Sequence, residues 1–151
     1  MTNDSLIQKI TVMLPEAQVK MGTEFVEVTL NAEGAHDFLA SLKKDPGFDF
    51  DYLFCLTGAD FEDHLKVIYH LESTRLNHIV VVKVKTADRI NPVVDSVDDL
   101  WPTAEPHENE AFDLLGITFR NHPAPRRLFL DEGWGYPLRK DFHDDIHVVS
   151  R

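Results

Sequence analysis

The chain has 151 residues, 43% of them hydrophobic and 27% charged, and carries a formal net charge of −11. That length fits one domain with a real core, and the acidic balance argues against nucleic acid as a partner, because phosphate binding needs basic surface. The single cysteine, Cys55, excludes an internal disulfide and any cluster or zinc site built on several thiolates. No apolar run approaches the ~20 residues that a spanning helix needs. The N-terminus also lacks the basic start and apolar core of a signal peptide.

Asp4–Leu14 places Leu6, Ile10, Met13 and Leu14 on one helical face, with Asn3 or Asp4 as cap and Pro15 as stop. Ala17–Met21 and Glu24–Leu30 read as strands around a Gly22-Thr23 turn; in the second, Val26, Val28 and Leu30 alternate with Glu27 and Thr29. Helical period returns over Asn31–Lys44, with Ala35, Phe38, Leu39 and Leu42 in a stripe and Asn31 as the expected N-cap. Asp45-Pro46-Gly47 breaks it.

Phe50–Thr57 is almost continuously apolar, as a central strand would be. Leu65–Glu72 alternates cleanly and Ile79–Lys85 is rich in valine, so the two form a hairpin across the polar loop Ser73–Asn77. The order helix, two strands, helix, three strands predicts an α+β two-layer sandwich, one sheet with helices on a single face. That domain spans residues 1–86. Residues 87–151 are expected to form a helical segment and an extended docking arm packed on it. Ser96 is a candidate cap for a turn ending at Leu100-Trp101. Thr103 or Ala104 to Leu115 reads as a helix, with Pro106 in its first turn and Gly116 past its end.

Charge is segregated in this second part. Ala87–Leu115 holds eight acids and one arginine, whereas Arg120, Arg126, Arg127, Arg139 and Lys140 follow. Adjacent blocks of opposite sign pair, within the chain or across an interface. Glu105, Glu108, Glu110 and Asp113 invite a hard-metal or acid/base reading, and Glu108, Glu110 and Asp113 with His122 a metal-dependent hydrolase; against these, acids suit the positive end of a helix and pair with later arginines. His143 and His147 are four apart but without an HExxH pattern. There is no GxSxG, P-loop or GxGxxG. Arg126, Arg127, Arg139 and Lys140 accompany Phe129, Trp134 and Tyr136, and arginine with aromatics marks protein interfaces.

Several of these residues recur in a fixed order. Trp101 and Ala104 precede Glu108, Glu110 and Asp113; Leu114-Leu115-Gly116-Ile117 and Phe119 follow, then His122-Pro123, Arg127-Leu128 and Pro137-Leu138-Arg139-Lys140-Asp141-Phe142. With Leu56–Asp60 and Val67–Leu71 upstream, the chain resembles the C subunit, the 30-kDa subunit family, of NADH:quinone oxidoreductase (respiratory complex I). Asn109 and Pro106 depart from that pattern, which has arginine and usually tryptophan there.

The resemblance implies a hydrophilic core subunit of the peripheral arm of a proton-translocating complex. It would have no catalytic residue and no cofactor of its own; flavin, iron–sulfur clusters and quinone belong to partner subunits. It would pack on the D subunit, which helps form the quinone site, and on other arm subunits. Its place would be the cytoplasmic face of a bacterial membrane, met only through the complex. The interface expected to carry this is Glu108, Glu110, Asp113, His122, Arg126, Arg127, Trp134, Tyr136, Arg139, Lys140 and Asp141. The same scaffold role occurs in membrane-bound nickel–iron hydrogenases and ferredoxin- or F420H2-type complexes.

Overall fold

The structure is a computed structural model that describes residues 2–61 and 63–122. Helix α1 (Asn3–Met13) begins one residue earlier than expected because Thr2, with extended backbone, accepts the Ser5 N–H at 3.1 Å. It buries Leu6 and Ile10 and stops before Pro15, whose ring disfavours helical backbone at Leu14. Strands β1 (Gln18–Met21) and β2 (Val26–Asn31) form the expected antiparallel pair.

Helix α2 spans Ala35–Lys44 rather than starting after Asn31. Asn31 is still in the sheet, opposite Lys85, and the Ala32 N–H bonds the Lys85 carbonyl at 2.8 Å. Strand pairing thus overrides the local capping preference. Gly34, at φ 79°, makes the left-handed turn into the helix. Ala35, Phe38, Leu39 and Leu42 are buried as the periodicity predicts.

Strands β3 (Tyr52–Asp60), β4 (Leu65–Ser73) and β5 (His78–Lys85) complete a mixed sheet of order β1-β2-β5-β4-β3, in which β2 and β5 run parallel. The apolar run expected at the centre is therefore an edge strand, and β5 is central. The run reads as central because each face of β3 has its own apolar use. Leu53 and Leu56 enter the core, while Tyr52 and Phe54 stand on the other face, 46% and 36% exposed. All three helices bury their apolar residues in one core that the sheet covers from one side, the two-layer α+β arrangement.

Two further strands leave no local sequence signal. β6 (Val93–Asp95) and β7 (Thr118–Arg120) pair in parallel across helix α3 (Ala104–Leu115). Three residues each are too short to show an alternating pattern. Val94, Val97, Leu100, Trp101, Ala111, Ile117 and Phe119 from this region join the main core. Among the described residues no helix is long and apolar enough to cross a membrane.

Within the core, the Tyr69 hydroxyl on β4 is buried with no hydrogen-bond partner among the described residues. Burial, reinforced by the nearby Glu108 charge, holds its phenol far above the usual range. An orphaned buried hydroxyl costs more than a well-packed ring edge. Tyr69→Phe should therefore raise the free energy of unfolding by about 1 kcal/mol. Denaturant titration of the two proteins reads this directly, and a loss of stability would show that the hydroxyl is satisfied.

Candidate functional site

Two of the motif residues, Trp101 and Glu108, meet at one turn, Ser96–Trp101, just after β6. Ser96 Oγ accepts the Asp98 N–H at 3.2 Å, so Ser96 does cap this turn. The Trp101 N–H bonds the Val97 carbonyl at 2.9 Å. Four elements then hold the turn. Trp101 Nε1 donates to the Phe50 carbonyl at 3.0 Å, ahead of β3. From α2, His36 Nε2 meets the Asp99 carboxylate at 3.0 Å, and Lys43 Nζ donates to the Leu100 carbonyl. From α3, Glu108 Oε1 accepts from Ser96 Oγ at 2.6 Å and Oε2 from the Val97 N–H at 2.9 Å. The Ser96 N–H, in turn, bonds the Arg120 carbonyl at the end of β7 at 2.8 Å.

Glu108 is completely buried, and burial raises its carboxyl to about 6. The two hydrogen bonds and His122, whose Nε2 lies 3.7 Å from Oε1, oppose that rise. His122 is itself buried and also approaches the Glu105 carbonyl, at 3.3 Å. Asp113 is fully buried, while Glu110 is exposed.

The i,i+3 pairs Glu105–Glu108 and Glu110–Asp113 each straddle the boundary between core and surface. Glu108, Asp113 and His122 do not reach the surface, so of the described interface candidates Glu110 alone is exposed. Asn109, where the family pattern carries arginine, is also buried, at 3% exposure. A neutral amide avoids placing an ion there. Arg126, Arg127, Trp134, Tyr136, Arg139, Lys140 and Asp141 lie outside the described residues.

Helix α3 is set close against β3. A Cβ added at Gly58 would come within 2.5 Å of Leu115 Cδ1 and 3.1 Å of Ile117 Cδ1. Gly116, at φ 76°, ends the helix with its N–H on the Phe112 carbonyl at 2.9 Å. The cavities beside α3 are about 20 and 30 Å³. Small-molecule sites run about 300–1,000 Å³. Among the described residues no three metal-ligating side chains gather, so Glu108, Glu110, Asp113 and His122 do not present the ligand set a metal-dependent hydrolase would use.

Residue types alone do not point to Ser96, Val97 and Tyr69 as neighbours of Glu108. The spacing from Ser96 to Glu108 crosses a turn and a helix, so no local period signals it. Arg120, the first of the basic block that follows the acids, meets Asp95 at 2.5 Å across β6 and β7, a pairing within the chain.

This fold is shared with a chain of a solved complex. That structure is titled "Structure of the membrane-bound sulfane sulfur reductase (MBS), an archaeal respiratory membrane complex"; the TM-score is 0.78 at 26% identity, covering 93% of this chain and 85% of that one. Residues 28–147 match the family model described as "Respiratory-chain NADH dehydrogenase, 30 Kd subunit". Two similar proteins are named as the C subunit of NADH-quinone oxidoreductase. The one from Moorella thermoacetica is 36% identical, over 92% of this chain and 94% of its own length, and the one from Roseiflexus castenholzii is 36% identical over 92% and 83%. A third, named as a C/D subunit of the same oxidoreductase, comes from Phocaeicola vulgatus. It is 42% identical over 81% of this chain, which spans only 24% of that protein. The chain belongs to the 30-kDa subunit family of the respiratory-chain NADH dehydrogenase, a subunit of a multi-subunit oxidoreductase.

Proposed function

We propose that this chain is the non-redox scaffold subunit of the peripheral arm of a proton-translocating NADH:quinone oxidoreductase, docked on the D subunit. The observation that carries the reading is the family match over residues 28–147, which runs through both the clamped turn and the arginine-rich stretch beyond it. The combined C/D name of one relative supports D as the neighbour. In this reading Glu108 acts indirectly: it fixes the turn and α3, from which the chain leads into the docking stretch containing Arg126, Arg127, Trp134, Tyr136, Arg139, Lys140 and Asp141. Flavin, iron–sulfur clusters and quinone reside in other subunits, and the chain sits at the cytoplasmic face of a bacterial membrane through the complex.

Affinity purification of the tagged chain from its own membranes tests this. The D subunit and further arm subunits should co-purify, and reversing the charges of Arg126, Arg127 and Arg139 together should reduce recovery of the D subunit at least tenfold. A fully retained complex with the triple reversal would overturn the interface assignment. The likeness to a chain of an archaeal sulfane sulfur reductase favours a second reading, the same scaffold role in a ferredoxin- or hydrogenase-type membrane complex. Co-purified hydrogenase-type subunits in place of an NADH-oxidising module would select it.

A further inference from the structure

The sheet face opposite the helices gathers lysines in a chain whose net charge is −11. Lys66 on β4 and Lys85 on β5 stand directly opposite each other, and Lys83 lies one pleat along. Like charges in facing positions are destabilising. Lys20 on β1 faces Glu27, and Glu27 Oε1 takes Lys83 Nζ at 2.9 Å. Together they line a groove of about 640 Å³.

Glu16 and Glu33 also line that groove, but among the described residues Glu27 alone ion-pairs a lysine there. The Lys66 ammonium instead rests 4.5 Å from the Phe61 ring centre. Burial and the fields of Lys83, Lys85 and Lys20 hold it below the usual lysine value. Lysines commonly blunt sheet edges against aggregation. Lys66, Lys83 and Lys85, however, sit on the interior strands β4 and β5, where there is no edge to protect.

The same face continues into an apolar strip. Along β4, Lys66 is followed by Ile68 and His70, and Phe54 tilts against His70 at 5.6 Å with Tyr52 6.0 Å beyond. At ~3.4 Å per residue, Lys66 to His70 spans ~14 Å. That is the reach of four or five extended residues.

We infer that the open face of the sheet binds a polypeptide segment of a neighbouring subunit, carboxylates over Lys66, Lys83 and Lys85 and apolar side chains over Tyr52 and Phe54. Charge complementarity identifies the occupant: of the three crowded ammonium groups only Lys83 is ion-paired among the described residues, by Glu27. Lys66 and Lys85 feel the carboxylate of Asp63 only as a field, so an acidic segment relieves the repulsion it finds. The adjoining aromatics favour a protein over a small anion, since they supply the apolar contact an interface centre uses. The inference rests on the chain being a subunit of a larger complex.

Zero-length carbodiimide cross-linking of the intact complex, purified from native membranes, tests it. The reagent joins an amine to a carboxylate only in direct contact. Amide links from Lys66, Lys83 or Lys85 to an Asp or Glu of another subunit are expected, with those lysines at least tenfold less acetylated than in the isolated chain. If the complex is whole but the lysines acetylate as in the isolated chain, this surface is free and the inference fails while the subunit reading stands. A chain that purifies without other subunits sinks both. Protection of the isolated chain's lysines by inorganic pyrophosphate would assign the groove to a small anion and overturn the polypeptide. The pair K66E and K85E should weaken recovery of the cross-linked subunit while leaving the isolated chain's denaturation midpoint unchanged; undiminished recovery counts against the inference.

Discussion

Trp101→Ala should lower the stability of the isolated chain by about 3–5 kcal/mol, the range for removing a buried tryptophan. Trp101 is 2% exposed and lies in the main core, and its indole N–H is the donor for the Phe50 carbonyl. The substitution thus leaves a cavity and an unpaired acceptor at once. It also frees the turn that α2, α3 and the residue ahead of β3 all grip, so the loss should reach function. Trp101→Phe separates the two effects: it restores most of the volume but not the hydrogen bond, and should cost about 1–2 kcal/mol. Chemical denaturation followed by circular dichroism gives both numbers. A Trp101→Ala loss below about 1 kcal/mol would mean that the turn is not the junction described above.

The second large effect belongs to Glu108 and depends on pH. Its carboxyl is raised to about 6 in the fold, from an ordinary 4.5. Between those values the folded chain binds more protons than the unfolded one, so this group's contribution to stability falls as pH rises from about 4.5 through 6. The size is of order 2 kcal/mol. Glu108→Gln cannot titrate. It also replaces one acceptor oxygen by an amide nitrogen, leaving the Ser96 hydroxyl or the Val97 N–H unmatched, and should be destabilised at about pH 4.5. Its disadvantage against the native chain should then shrink by about 2 kcal/mol by pH 7. Glu108→Ala, which abandons both donors, should cost about 2–4 kcal/mol at neutral pH. Parallel stability curves for the native and Gln proteins across that pH window would show that another group carries the titration.

Both effects concern the proposed docking stretch indirectly. The buried acid and the buried indole set where α3 and β7 lie, and the chain enters the arginine-rich residues directly from His122. A substitution at either position is therefore expected to disturb subunit assembly without touching a partner. Recovering assembly by lowering temperature in Glu108→Gln would distinguish this from a lost direct contact.

Much of the fold is legible locally. The helical stripe Ala35–Leu42, the alternation of Leu65–Glu72 and the valine-rich Ile79–Lys85 each identify their element, because burial on one side imposes a period on the residues themselves. The exceptions have specific causes. Asn31 looks like a cap until β5 supplies Lys85 as its strand partner. Phe50–Thr57 looks central because apolar residues on both faces erase the alternation that marks an edge. β6 and β7 have three residues each, too few for any period.

The acidic cluster shows the same division more sharply. Composition and residue order alone determined that Glu108, Glu110, Asp113 and His122 belong to a family motif, that the chain is a small α+β domain, and that it carries segregated charge. Only the tertiary structure decided which acids are internal. Glu108 meets Ser96 and Val97 from twelve and eleven positions away, whereas Glu110, two residues along the same helix, faces water. A helix turns about 100° per residue, so its sequence gives the relative angle of two side chains but not which angle faces the core. That choice was made by the packing of α3 between β3 and β7. It turned Glu108, one of four acids in an acidic helix, into the inner support of the turn.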